Sequence, residues 1–204
     1  MSDGIKTYFY NQSELLTRID PDNRIAVYFD LLSQENKRIN LVSRETIAGH
    51  LPKLTAESLE PLEILEQSHI HRYLDIGSGG GFPAVPILLT RNIENVTLVE
   101  RTLKKVAALR RILLALNLKA EIAPVTFEEF KPLDNDYDLI TMRLVKLTSR
   151  LLNRIIPLLS SKGVFVYYAQ AKLDKINDAT IIKSARFQDE QGETKMVTYF
   201  YRNE

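Results

Sequence analysis

Four of the chain's eight glycines lie within five positions, 77–81, and this cluster constrains the fold more than any other feature. It follows an apolar run at 73–76 and precedes an apolar stretch at 84–90. Glycine permits positive φ and lets the backbone approach a ligand closely, and a loop that leads into a helix presents free amide donors. The pattern therefore predicts a strand, a ligand-binding loop and a helix.

Short apolar runs and amphipathic stretches alternate from residue 72 onward. Strands are predicted at 73–76, 96–99, 120–125, 137–141 and 164–168, and helices at 84–90, 103–116 and 145–159, the last ending before Gly163. This alternation is typical of parallel βαβ units. Residues 195–201 alternate apolar and polar, which predicts an antiparallel strand. We therefore expect an α/β, Rossmann-like, mostly parallel doubly wound sheet with an antiparallel C-terminal strand.

The first sixty residues are expected to be helical. Asp20-Pro21-Asp22 predicts a helix start, Ser43 predicts the cap of a second helix that ends near Pro52, and a third helix is expected at 54–66. We therefore expect an N-terminal helical extension over 1–70 and an α/β domain over 71–204.

An acid at the end of the second predicted strand indicates what the loop binds. Glu100 lies 25 residues after Asp75, where a carboxylate can accept from the two ribose hydroxyls of a nucleoside. A dinucleotide fingerprint would require a third glycine at position 82, which is Phe82. A P-loop would require Gly-Lys-Ser/Thr after the loop, which is also missing. A nucleoside cofactor without a pyrophosphate remains.

The pattern D-x-G-x-G-x-G starting at Asp75 resembles motif I of class I S-adenosylmethionine (SAM)-dependent methyltransferases. The longer run Asp75-Ile-Gly-Ser-Gly-Gly-Gly-Phe-Pro-Ala-Val-Pro86 resembles the GidB/RsmG family, which methylates N7 of a guanine in bacterial small-subunit ribosomal RNA. Three further blocks, 36–43, 104–110 and 141–144, resemble that family in the same order. The resemblance implies a SAM-dependent methyltransferase domain over 71–204.

The resemblance also implies site residues. It places Gly77, Phe82, the pair Phe127-Glu128 and Arg143 at the cofactor, with Arg143 facing the transferred methyl group as the candidate catalytic residue. With the loop and strand-end residues, the predicted SAM-binding set is Asp75, Gly77, Ser78, Gly79, Phe82, Glu100, Phe127, Glu128 and Arg143.

Local charge, rather than net charge, points to RNA. Lys and Arg number 27 against 26 Asp and Glu, so the net charge of +1 predicts no global attraction to nucleic acid. A basic run covers 101–111, and residues 143, 146, 150 and 154 are spaced by three, four and four, so they form one stripe along a helix. The predicted RNA-binding residues are Lys37, Arg38, Lys104, Lys105, Lys146 and Arg150. The expected partner is ribosomal RNA or the small ribosomal subunit.

Other classes of protein are disfavoured. The chain has no cysteine, its three histidines lack metal-ligand spacing, and its apolar runs are short, so we expect no metal and no membrane span. The start lacks a signal-peptide pattern, and we expect a cytoplasmic monomer.

Two blocks depart from the family pattern: 53–58 differs from R-H-x-x-D-S, and 167–170 differs from A-L-K-G. They leave open a methyltransferase for a small molecule or protein, or a non-catalytic RNA-binding or ribosome-assembly factor.

Overall fold

The computed structural model describes residues 5–20, 22–65, 69–132, 135–173 and 180–203. Its strands are β1 (Lys6–Phe9), β2 (Arg72–Ile76), β3 (Asn95–Val99), β4 (Glu121–Ala123), β5 (Tyr137–Met142), β6 (Leu159–Tyr167), β7 (Thr180–Gln188) and β8 (Thr194–Arg202). Its α-helices are α1 (Gln12–Ile19), α2 (Arg24–Asn36), α3 (Leu51–Glu63), α4 (Ala84–Thr90), α5 (Leu103–Ala115) and α6 (Ser149–Ile155), and it also has a π-helix at Thr46–His50 and a 3-10 helix at Ile156–Leu158. Within these residues, no helix has the length and apolar character of a membrane span.

All eight strands form one sheet in the order β1-β7-β8-β6-β5-β2-β3-β4. Strands β2 to β6 pair in parallel, and β8 runs antiparallel to β6 and β7. The predicted Rossmann-like sheet with an antiparallel C-terminal strand is confirmed. Because β2 lies between β3 and β5, the chain reverses its winding direction there, and the ligand crevice of such sheets opens at the carboxyl ends of these strands.

The apolar side chains of the sheet alternate between two cores. Tyr73 faces the core shared by α2, α3, α4 and α5, whereas Leu74 and Ile76 face the core covered by α6. Tyr28 and Leu32 of α2 belong to the first core and are fully buried there. The helices before residue 70 thus share a core with those after it, and the predicted division into 1–70 and 71–204 stays a prediction.

The N-terminal region differs from its prediction in two places. Strand β1 was not expected, and it extends the sheet by pairing in parallel with β7, where Tyr8 stacks on Phe187. The helix predicted after Ser43 is present as a short π-helix, Thr46–His50, but α3 begins directly after it at Leu51 rather than at 54. Pro52 lies in the first turn of α3, where a proline loses no helical hydrogen bond. Asp20 accepts from the first amides of α2 as expected, while Pro21 and Glu66 lie outside the described residues.

The helix predicted at 145–159 is wrong in its extent. The hydroxyl of Thr148 accepts from the amide of Leu151, so α6 begins only at Ser149, and residues 143–148 form a loop. The basic stripe predicted along one helix is therefore also wrong, because two of its four members precede α6. Gly163 lies inside β6 rather than ending a helix, and a Cβ atom there would collide with the carbonyl oxygen of Tyr137.

Candidate active site

The glycine loop is held in a conformation that requires glycine. Gly77, Gly79 and Gly81 have φ angles of +80°, +51° and +102°, where other residues are strained. The amides of Gly77 and Ser78 donate to the carbonyl oxygen of Val99 over 2.8 and 3.1 Å. The loop is thereby attached to the end of β3, next to the predicted acid.

Glu100 contacts the loop directly. One carboxylate oxygen accepts from the amide of Gly79 at 2.9 Å, and the other accepts from the amide of Thr102 at 2.7 Å. The side chain lines the cavity and is buried. Each carboxylate oxygen can accept a second hydrogen bond, so Glu100 can hold the loop and bind the ribose hydroxyls at once. The ribose contact stays a prediction.

Asp75 lies below the loop and is only 1% exposed. One of its oxygens accepts from the hydroxyl of Thr141 at 2.6 Å, and that hydroxyl also contacts the hydroxyl of Tyr73. The other oxygen has no hydrogen-bond partner among the described residues. Burial, with a smaller contribution from Glu100, raises the pKa of Asp75 to about 7 against the opposing hydrogen bond from Thr141.

The N-terminal region covers the loop from the other side, which sequence reasoning missed. The Tyr28 hydroxyl donates to the carbonyl of Gly80 at 2.9 Å, and its ring lies against Phe82. The side chain of Asn36 accepts from the amides of Leu41 and Val42, and both of these residues line the cavity. The block at 36–43 thus shapes the cavity wall.

The segment after β4 forms the opposite wall. Phe127 is buried and Glu128 is exposed, and both line the cavity, as expected for a pair that the family resemblance places at the cofactor. Arg154 of α6 donates to the carbonyl oxygens of both residues, over 3.4 and 3.1 Å, and its guanidinium lies over the Phe127 ring. Arg154 therefore stabilises this wall, a role that its predicted place in a basic stripe did not indicate.

Arg143 follows β5 and reaches the cavity, as predicted, but it is also paired. Its guanidinium donates to the carboxylate of Glu57 at 2.6 Å, contacts the Ser58 hydroxyl at 3.4 Å and lies over the ring of Tyr168. Tyr168 in turn donates to the Ser58 carbonyl at 2.6 Å. Glu57 and Ser58 stand where the family has D-S, so this block keeps an acid and a hydroxyl that orient Arg143.

These walls enclose a cavity of about 500 Å³ at the carboxyl ends of β2, β3 and β5. Of the predicted SAM-binding residues, the structure brings seven to its lining: Gly77, Ser78, Gly79, Phe82, Glu100, Phe127 and Glu128, with Arg143 as the eighth. Asp75 lies beneath them. The volume is typical of a small-molecule site. The residues present fit a nucleoside cofactor such as SAM.

The predicted RNA-binding residues fall into two groups. Lys37, Arg38, Lys104 and Lys105 line one open groove beside the cavity, and Lys105 lines both. Among the described residues these four form no ion pair, unlike Arg111, which is bound to Glu35. Lys146 and Arg150 are exposed beyond Arg143, on a loop and on α6.

The chain matches one known family over most of its length. The family model described as "GidB: rRNA small subunit methyltransferase G" matches residues 22–203. The chain belongs to the GidB family. Curated relatives called ribosomal RNA small subunit methyltransferase G include one from Bartonella tribocorum, 35% identical over 76% of this chain and 71% of the relative, and one from Helicobacter acinonychis, 34% identical over 72% and 80%. The relative from Bacillus subtilis is 28% identical over 74% of this chain and 65% of its own length.

Solved structures support the fold of this GidB-family chain. A putative O-methyltransferase from Klebsiella pneumoniae superposes with a TM-score of 0.61 at 10% identity, covering 95% of this chain and 96% of the other. The plantazolicin methyltransferase BpumL, solved with SAH, has a TM-score of 0.58 at 14% identity over 95% and 96%. The predicted class I methyltransferase fold is confirmed. No group of three or more potential metal ligands occurs in the part of the chain that the structure describes.

Proposed function

We propose that this protein transfers a methyl group from SAM to N7 of a guanine in small-subunit ribosomal RNA. The observation that carries the proposal is the cavity between the glycine loop and the 125–128 segment, with Arg143 at its wall and a basic groove beside it. Membership of the GidB family supplies the reaction class and the RNA substrate. The proposed setting is the cytoplasm, and the proposed state is a monomer.

The cofactor is held by residues on three strand ends. The glycine loop lies against the methionine part, the Glu100 carboxylate binds the ribose, and Phe127 with Glu128 binds the adenine. When bound, SAM supplies a methyl group activated by its positively charged sulfur. Asp75 lies buried beneath the loop, where its carboxyl group accepts from Thr141 and joins the ends of β2 and β5.

Arg143 orients the guanine. N7 of the neutral base has a lone pair and no proton, so the reaction needs no general base, and O6 beside it is an acceptor that a guanidinium can bind. Glu57, Ser58 and Tyr168 restrict the guanidinium to one orientation. Holding the nucleophile in line with the methyl group supplies most of the acceleration.

The basic groove positions the RNA around the base. Lys37, Arg38, Lys104 and Lys105 bind phosphates without reading sequence. A small-molecule or protein methyltransferase has no use for a groove lined by four cations beside its cavity, and this observation favours RNA over that alternative.

The test uses purified protein, methyl-labelled SAM and either naked small-subunit RNA or small subunits from cells that lack this protein. We expect label in one guanine, located by mass spectrometry of RNA fragments as an N7-methyl group. Gly79→Val is the matched control, because a branched side chain at φ +51° strains the loop and should abolish SAM binding in calorimetry. Label that appears only in protein or small molecules would overturn the substrate, and RNA binding without label would favour the non-catalytic assembly factor.

A further inference from the structure

Leu144 follows Arg143 and is the most exposed of the large apolar residues that the structure describes, with 97% of its surface accessible. Its backbone is in the left-handed region, with a φ of +59°, which a branched leucine adopts only against strain. The residue nevertheless lines the cavity. An apolar side chain is thus held in water at the mouth of the active site.

The neighbouring residues hold Leu144 outward. The side chain of Val145 packs so closely against Gly77 that a Cβ there would lie 2.6 Å from a valine methyl group. Leu147 is buried, and the Thr148 hydroxyl caps α6. Because both sides of the loop are anchored, Leu144 cannot turn inward without releasing Val145 from the glycine loop. Strain of this kind persists where surrounding contacts over-determine it and is concentrated at functional sites.

The surroundings indicate what covers this leucine. Lys146 is exposed two residues later, Arg101 and Lys105 line the same cavity, and the basic groove continues from Lys105. A partner that meets one apolar side chain among several cations is a polyanion with apolar faces. Single-stranded or unstacked RNA fits this description, because its bases present flat apolar surfaces and its phosphates are negative.

We propose that Leu144 packs against the bases next to the target guanine and fills the space that the guanine leaves when it enters the cavity. This inference rests on the proposed function and deepens it by assigning a positioning residue for the RNA. Proteins that kink nucleic acids insert leucine or another apolar side chain between base steps, and an enzyme that modifies a base acts on an unpaired base or takes the base out of its stack. Leu144 lies beside Arg143, so Arg143 acts on the target guanine while Leu144 acts on the bases next to it.

The test compares Leu144→Ala, Leu144→Met and the wild type on two RNAs that contain the modified guanine: a folded fragment and a short unpaired oligonucleotide. On the folded RNA we expect kcat/KM for Leu144→Ala to fall about tenfold, whereas Leu144→Met retains activity. On the unpaired oligonucleotide, where no stack must open, we expect less than a twofold loss. SAM affinity and melting temperature should not fall in either variant.

The matched control is Leu114→Ala, because Leu114 is also an exposed leucine, 82% accessible, and lies on α5 outside the cavity. It should leave both RNAs unaffected. Equal loss from Leu144→Ala on both RNAs, or no loss on either, overturns the inference while leaving the proposed function intact. Absence of RNA methylation by the wild type overturns the proposed function and this inference with it.

Discussion

At the scale of single residues, the buried carboxyl group of Asp75 couples the fold to pH. Its pKa is raised to about 7 because burial disfavours the charged form, whereas an unfolded aspartate titrates near 3.8. The stabilising contribution of the protonated form is therefore fully present below about pH 4 and is lost as pH rises through about 7. At higher pH the buried carboxylate is charged, and the free energy of unfolding is lower by an amount on the order of a few kcal/mol.

We expect Asp75→Asn to remove this pH dependence. The asparagine keeps the shape and can still accept from Thr141, but it does not titrate. Melting temperatures measured without cofactor between pH 5.5 and 8.5 should fall with pH in the wild type and be flatter in the variant. Asp22→Asn, at an exposed carboxylate, is the control and should keep the wild-type slope. A variant whose slope matches the wild type would show that Asp75 is charged throughout.

Arg143 is a second residue at which the local contacts make a sharp prediction. Arg143→Lys keeps a positive charge beside Glu57 but loses the planar fork that binds an acceptor in one orientation. We expect a folded protein with near-normal melting temperature, normal SAM affinity and methyl transfer reduced about a hundredfold. Single-turnover rates with labelled SAM measure this.

Glu57→Gln is the companion variant, since it keeps Arg143 and removes only the charge that orients it. A smaller loss, about tenfold in kcat with little change in KM, is expected. Arg143→Lys could instead lower the melting temperature sharply while its folded fraction transfers methyl groups at the wild-type rate. In that case Arg143 serves only as one partner of a structural ion pair.

At the scale of elements, the first turn of α5 and the residues that directly follow α2 together line the basic groove. The two segments are 66 residues apart between Arg38 and Lys104, yet they line the same depression. The stripe expected along one helix does not exist, because α6 starts after Lys146. The proposed RNA-binding residues of the groove therefore lie on two segments rather than on one helix face.

We expect Lys104→Ala with Lys105→Ala to weaken RNA binding and to lower the slope of log affinity against log salt by about two, one per lost phosphate contact. SAM affinity should remain within a factor of about two. The matched control replaces Lys119 and Lys131, which are exposed at the amino ends of the strands, away from the cavity. Titrations at several salt concentrations measure both pairs, and equal effects from the two pairs would reject the groove.

At the scale of the whole molecule, an ion cluster attaches the N-terminal helices to the far edge of the sheet. Lys53 of α3 lies 2.9 Å from Asp189 and 2.5 Å from Glu193 on the turn between β7 and β8. The Asp189 side chain is only 2% exposed, and it also accepts from two amides of its own turn. Removing the lysine would leave a buried carboxylate without its cation.

We therefore expect Lys53→Ala to lower the free energy of unfolding by about 1–3 kcal/mol. Glu193→Gln, at the exposed partner, should cost less than about 0.5 kcal/mol. Denaturant unfolding measures both, and a single transition in each protein is expected because the helices before and after residue 70 share one core. Two separated transitions would instead support the predicted boundary at 70.

The glycine loop, the helix that follows it and the alternation of strands were predictable from the sequence because their determinants are local. Positive φ at Gly77, Gly79 and Gly81 depends on the missing Cβ, and the apolar periods of β2, β3 and α5 lie within single segments. Even the position of Glu100 follows from the length of one βαβ unit. These local features are enough to predict the fold class and the position of the cofactor site.

Only the tertiary structure decided which distant residues meet. The pairing of Arg143 with Glu57, the contact of Tyr28 with Gly80 and the outward position of Leu144 depend on how helices pack on the sheet. β1 is four residues long and is stabilised by its neighbour β7 rather than by its own pattern. Local sequence determines which conformations a segment favours, whereas packing and hydrogen bonds between segments determine which of them is adopted and which side chains share a site.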